Sequence, residues 1–210
     1  LKKTDYKEKV KSAKWNERVD AYALVVAGCG TPPKLVPGSD ISPVLDKLKL
    51  GLADKMIAVA IASVNTLGVL CDGYGAGFKP HAKPLAKEFL EKMKDAKLVA
   101  PCVGSLAKFY GAGALSVADV FPAVQGTVFP KKSKVVPPHA MIGVLGWCAD
   151  CASREKLAMG EAEVDQLAGL GLEVVTKVSD PKVKAAGVEL LTSLLVREQK
   201  LSSSSGGGKS

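Results

Sequence analysis

Apolar residues in this chain return every three or four positions, and no segment keeps the strict alternation of a half-buried strand, so the elements it predicts are helices. The clearest runs are Val19 to Val26, Ile57 to Leu70, Leu98 to Tyr110, Val135 to Cys148 and Val183 to Val196. Each opens with branched apolar residues straight after a polar turn, continues with small residues, and places a large side chain one or two turns later. That leaves one face for a partner helix and another for a neighbouring pair. Shorter amphipathic stretches form the first members of such pairs: Pro43 to Leu52, Pro84 to Met93, Val117 to Val128 and Glu161 to Lys177. Ser42 and Asp180 each stand before a proline at the first helical position, and Ser116 reads as a further cap. Glycine- and proline-rich breaks at Gly28 to Gly38, Gly73 to Gly77 and Gly111 to Gly113 separate the pairs.

The units recur at intervals of roughly 40 residues, the range of helical repeats. The predicted fold is therefore all-α, an α-solenoid of paired antiparallel helices with about five to six repeats. One domain is expected over residues 1–200, followed by a flexible Ser/Gly tail over 201–210.

Composition narrows the class. The chain has 210 residues, 47% apolar and 5% aromatic, which suits helices packed through small and medium side chains. Counting Lys, Asp and Gly as interruptions, no apolar stretch reaches the roughly 18 residues of a membrane span, so a soluble protein with no membrane partner is expected. The charged N-terminus lacks the apolar core of a signal peptide, and a first residue other than Met points to a piece of a longer protein. The five cysteines lie scattered in apolar segments and read as reduced, buried thiols of a cytosolic protein. A net charge of +8 favours an acidic partner: a protein surface, nucleic acid or an anionic membrane.

Chemical motifs are weak when taken singly. Gly208-Lys209-Ser210 resembles the end of a phosphate loop, but Ser203 stands where the first glycine belongs and no strand precedes it. Gly73 to Gly77 follows a helix and reads as a connection rather than a dinucleotide site. Cys148 and Cys151 form a CxxC pair without a second ligand pair, inside an apolar helix, which reads as packing. His81 and His139 lack a nucleophile or carboxylate in an interpretable arrangement, and the pairs Glu88/Glu91 and Glu161/Glu163 read as solvated helix faces. No enzyme emerges, and no cofactor or metal is called for. The scarcity of aromatics near basic residues weighs against single-stranded nucleic acid.

What remains is a row of turns. In a stack of helix pairs the turns within pairs share one edge. That edge would carry Lys14 and Trp15, then Lys55 and Met56, Lys94 and Lys97, Lys131, Lys132 and Lys134, and finally Lys182 and Lys184. A ladder of cations beside one large aromatic suits an acidic protein surface, with Trp15 as anchor. Lysines that merely keep a solenoid soluble, with Trp15 capping the first pair, explain the same pattern equally well.

The segment from Asp5 to Ala21, with Lys14-Trp15 followed by Arg18 and an Ala-containing helix, resembles the first HEAT repeat of a TOG domain. Leu52 to Ala60, Glu91 to Val99 and Val178 to Ala186 fit the later turns of that family in order. The resemblance implies a non-enzymatic module, monomeric within a larger multidomain protein, that grips the αβ-tubulin dimer or a microtubule through these turns. It further implies a cytoplasmic, cytoskeletal location, at microtubule ends, spindle poles or centrosome-like structures. Carried over, Trp15 would insert against β-tubulin, Lys55 and Lys97 would extend that contact, and Lys182 or Lys184 would reach α-tubulin. Met56 stands where many members carry Asn, and Lys184 where Arg is common, so one planar donor fork is lost. A HEAT scaffold for another acidic protein, or for nucleic acid, is the alternative.

Overall fold

The computed structural model describes residues 5–29, 35, 39–131, 135–154 and 159–205. Among them every regular element is a helix. The chain divides into two compact units, Leu1–Leu115 and Ser116–Ser210.

The first unit holds α1 (Tyr6–Lys9), α2 (Trp15–Cys29), α3 (Ser42–Leu52), α4 (Ile57–Tyr74), α5 (Lys79–Lys92) and α6 (Ala96–Gly111). Consecutive helices pair, and α4 packs on both α2 and α6, so the second helices form an inner row. Because α4 is covered from several sides, its apolar residues do not keep to one stripe: Val59, Val64, Leu67, Leu70 and Cys71 are all buried. The Ser105 hydroxyl of α6 donates to the Val64 carbonyl of α4 at 2.8 Å, which satisfies a buried polar group at the α4–α6 contact. Phe109 sits between Phe78 and Phe89, with ring centroids 5.3 and 5.6 Å away, and closes the α5–α6 pair.

The second unit holds α7 (Val117–Val128), α8 (Pro138–Ser153), α9 (Glu161–Lys177) and α10 (Pro181–Ser205). Here α10 packs on both α8 and α9, over a core that includes Trp147, Val144, Leu167, Val183 and Leu190. The Ala118 N–H near the start of α7 donates to Glu163 near the start of α9, at 3.0 Å. At the other end the buried Arg197 of α10 donates to the Arg154 carbonyl just past α8, at 3.1 Å. The pairs of this unit are thereby stacked in parallel register.

The predicted α7 and α9 match the observed bounds, and Ser116 forms a capping box with Asp119. Several expectations need correction. α5 begins at Lys79 and contains Pro84, because the break at Gly73 to Gly77 consumes little chain: Gly75, at φ +63°, turns α4 directly into a 3₁₀ segment, Gly75–Phe78. Ser42 makes no side-chain cap; Asp40 accepts from the Ser42 N–H instead, at 3.0 Å. α10 continues through Ser205 into the segment expected as a tail, with Ser202 and Ser203 hydroxyls donating to the Glu198 and Lys200 carbonyls; extending a formed helix costs far less than starting one. The helical run Ile57–Lys92 is long and apolar enough to cross a membrane by length and composition alone, since glycine does not interrupt such a run; half of its apolar window is buried inside the protein.

Candidate functional site

The site grows from the turns inside the helix pairs. Trp15 is the first residue of α2, yet it is 44% exposed, while the other tryptophan, Trp147, is buried in the second unit. Met56, just before α4, is 40% exposed. The two turns that present these large apolar side chains are joined by one ion pair. The Arg18 guanidinium meets the Asp54 carboxylate in a two-point contact, Nε to Oδ2 at 2.9 Å and Nη2 to Oδ1 at 3.0 Å. Its remaining nitrogen, Nη1, donates to the Ser12 and Ala13 carbonyls at 2.9 and 3.0 Å, fixing the approach to Trp15. Asp54 Oδ1 also accepts the Met56 N–H at 2.9 Å. Burial works to raise the Asp54 pKa, but Arg18 and the Met56 N–H outweigh it and leave the carboxyl below its usual range.

The same local device recurs along the turns. Asp54 accepts from Met56, Asp95 from Lys97 and Asp180 from Lys182, each two residues ahead and each at 2.9 Å. In the first turn Ser12 Oγ takes this part for Lys14, at 3.1 Å. Each anchor opens a helix and sets a cation or a large apolar side chain in or beside its first turn. Lysine there opposes the positive end of the helix dipole, at a cost of about 0.3–1 kcal/mol each. Helix stability therefore does not account for Lys97 and Lys182.

Within the first unit the second and third turns flank a shared groove, with Asp54 and Lys55 on one side, Lys94 and Asp95 on the other, and Leu52 and Leu98 also lining it. The lysines differ in availability. Lys14 pairs with Glu17 at 3.1 Å and Lys94 with Glu91 at 3.0 Å, whereas Lys55 and Lys97 form no ion pair among the described residues. In the second unit Lys131 and Lys182 are exposed and Lys184 is half-buried. Lys132 and Lys134 lie outside the described residues.

The other candidates resolve into structure. Cys71, Cys102 and Cys148 are buried thiols whose pKa values burial pushes up to about 12, and Cys151 is raised further. His81 stands edge-on to Phe78 at 5.6 Å and is held below its usual pKa by burial, then by the Lys49 charge. Glu163 is no solvated face: it accepts the Gly160 and Ala118 N–H groups. Sequence reasoning passed over Arg18 and Asp54 as site residues. The signal was present as an Asp two positions ahead of Met56, Lys97 and Lys182.

No family model matches the chain. The protein MOR1 of Arabidopsis thaliana is 30% identical over 161 residues, 76% of this chain and 8% of its own length. MOR1 of Oryza sativa subsp. japonica is 26% identical over 196 residues, 92% of this chain and 9% of its own length. The chain thus spans less than a tenth of these curated relatives. A structure solved for microtubule polymerases with Tumor Overexpressed Gene (TOG) domain arrays superposes with a TM-score of 0.67 at 17% identity, over 92% of this chain and 40% of that one. The chain has the TOG-domain fold. A structure from the plus-end tracking system of XMAP215, CLIP-170 and EB1 agrees, with a TM-score of 0.74 at 18% identity over 91% of this chain and 78% of that one. So does the MAST/Orbit N-terminal domain, at 0.69 and 11% over 92% and 83%. In this TOG-type fold the exposed Trp15, the Arg18–Asp54 pair and the unpaired lysines occupy the turns singled out from the sequence.

Proposed function

We propose that the chain is a non-enzymatic tubulin-binding module of a larger microtubule regulator, acting at the microtubule cytoskeleton. The observation that carries this reading is the presentation of Trp15: a large aromatic left 44% exposed at a helix start, in a turn joined to the Met56 turn by the Arg18–Asp54 pair. Anchors of this kind dominate protein interfaces when they enter a pocket on the partner. The neighbouring structures were solved for tubulin recruitment and assembly and for plus-end tracking, which supports the choice of partner.

In this proposal Trp15 and Met56 insert against β-tubulin, with Lys14, Lys55, Lys94 and Lys97 facing its carboxylates. Lys132, Lys134, Lys182 and Lys184 serve α-tubulin. The rigid turns favour one tubulin conformation, so the module loads subunits and releases them when that conformation changes; only differential affinity can drive such release.

Purified tubulin and an acidic polymer, titrated separately against the chain at physiological salt, test the reading. Tubulin is expected to bind tightly and the polymer weakly. Trp15→Ala should reduce tubulin affinity by about 2 kcal/mol or more while the protein still melts cooperatively, because Trp15 lies at the surface and outside the buried core. Unchanged affinity in that variant, or equal binding of the polymer, rejects it.

A further inference from the structure

A second surface lies on the first unit, bordering the first turn at Lys11. α1 and the N-terminal half of α3 enclose a groove of about 520 Å³. Tyr6, Val10, Pro43 and Val44 give it an apolar lining, and Lys7, Lys11 and Lys47 stand around it. None of these three lysines forms an ion pair among the described residues. The one acid at the groove, Asp40, is already engaged, holding the Ser42 N–H at the start of α3. Asp40 keeps its charge, so the groove pairs apolar area with three cations against one anion. Its volume is that of a site for a few side chains rather than a flat contact. On α3 it reaches no further than Lys47, seven residues or about 10 Å of helix before the Asp54 turn.

We propose that this groove binds an acidic peptide segment in which carboxylates flank one or two large apolar side chains. The apolar side chains seat against Tyr6, Val10 and Val44, and the carboxylates meet Lys7, Lys11 and Lys47. Charge complementarity selects this occupant. A wholly apolar segment would leave three cations facing it unpaired, and a bare polyanion would leave the apolar lining wet. The lining offers a single aromatic ring, itself buried, so bases find no stacking platform and nucleic acid fits poorly. On the α1 side the groove ends at Lys11, one residue before Ser12, the anchor of the first turn. The proposal does not rest on the tubulin reading.

The probe is a short fluorescein-labelled peptide alternating Glu with Leu and Phe, titrated against the full chain by anisotropy. Versions with Gln for every Glu, or Ser for every Leu and Phe, serve as controls. Binding is expected to weaken about tenfold or more in Lys7→Glu/Lys47→Glu and in Val44→Glu, and to be unchanged in Lys55→Ala/Lys97→Ala. Amide shifts on the unmutated chain, which do not depend on how any variant folds, should concentrate in residues 6–11 and 40–47. Equal binding of either control peptide overturns the proposal, as do shifts centred on the turns. Duplex DNA or phosphatidylserine vesicles that bind as tightly, with the same sensitivity to Lys7→Glu/Lys47→Glu, also overturn it, in favour of a general anionic surface.

Discussion

Arg18 and Asp54 decide how much of the turn edge is preorganised. Both side chains are mostly shielded, at 18% and 16% exposure, so the pair is stronger than an ordinary surface bridge. Asp54→Asn should cost about 1–2 kcal/mol of stability near neutral pH, between the surface and fully buried cases. The sign with pH follows from the depressed pKa of Asp54. Its contribution is fully present above the ordinary carboxylate range near 3.9, and it is lost as pH falls through the lower folded value. Urea melts of wild type and Asp54→Asn should therefore differ at pH 7 and draw together as pH falls below the ordinary carboxylate range. The same variant should weaken partner binding without touching Trp15, since it loosens the Arg18 contact that joins the first two turns. Among the lysines, Lys55→Ala/Lys97→Ala should slow association and flatten its salt dependence more than Lys14→Ala/Lys94→Ala. The second pair already neutralise Glu17 and Glu91, and stopped-flow association at two ionic strengths separates the cases.

At the scale of elements, the contact between α9 and α10 depends on two glycines. A Cβ on Gly187 would fall 2.7 Å from Val174 Cγ1 and 3.1 Å from its Cβ, and a buried β-branched side chain has little room to yield. Gly187→Ala gains about 1 kcal/mol of helix propensity, against about 1–3 kcal/mol for overpacking. A net loss of stability is expected, read as a lower denaturation midpoint. The helices themselves were legible from sequence because apolar residues return every three or four positions, even in α4, which is apolar on several sides, and the start of α7 followed from Ser116. Pro84 misled because proline is tolerated in the first turn of a helix, and the true start at Lys79 already places Pro80 there. The site was legible as a list of presented residues, Trp15 and the lysines. Its support was not, because Arg18 and Asp54 are 36 residues apart in sequence and meet only after the pairs stack.

Across the whole molecule, each unit carries its own core and its own thiols, Cys71 and Cys102 in the first and Cys148 and Cys151 in the second. With pKa values of about 12 for three of these and higher for Cys151, the thiolate fraction at pH 8 is on the order of one in ten thousand. Alkylation of these four cysteines in native buffer should proceed only as fast as the unit around each opens. Mass spectrometry of timed iodoacetamide labelling then yields a separate opening rate for each unit, and rapid labelling without denaturant would contradict the burial. The end of the second unit also bears on where the chain can be cut. Arg197, 6% exposed, carries its charge to the carbonyls of Ala152 and Arg154, where the negative end of the α8 dipole emerges. A fragment trimmed at the end of the last apolar run, Val196, would keep the residues of the core yet lose the counter-charge of α8. The shortest fragment that holds the second unit intact must run past Arg197, and expression trials bracketing that residue would locate the boundary.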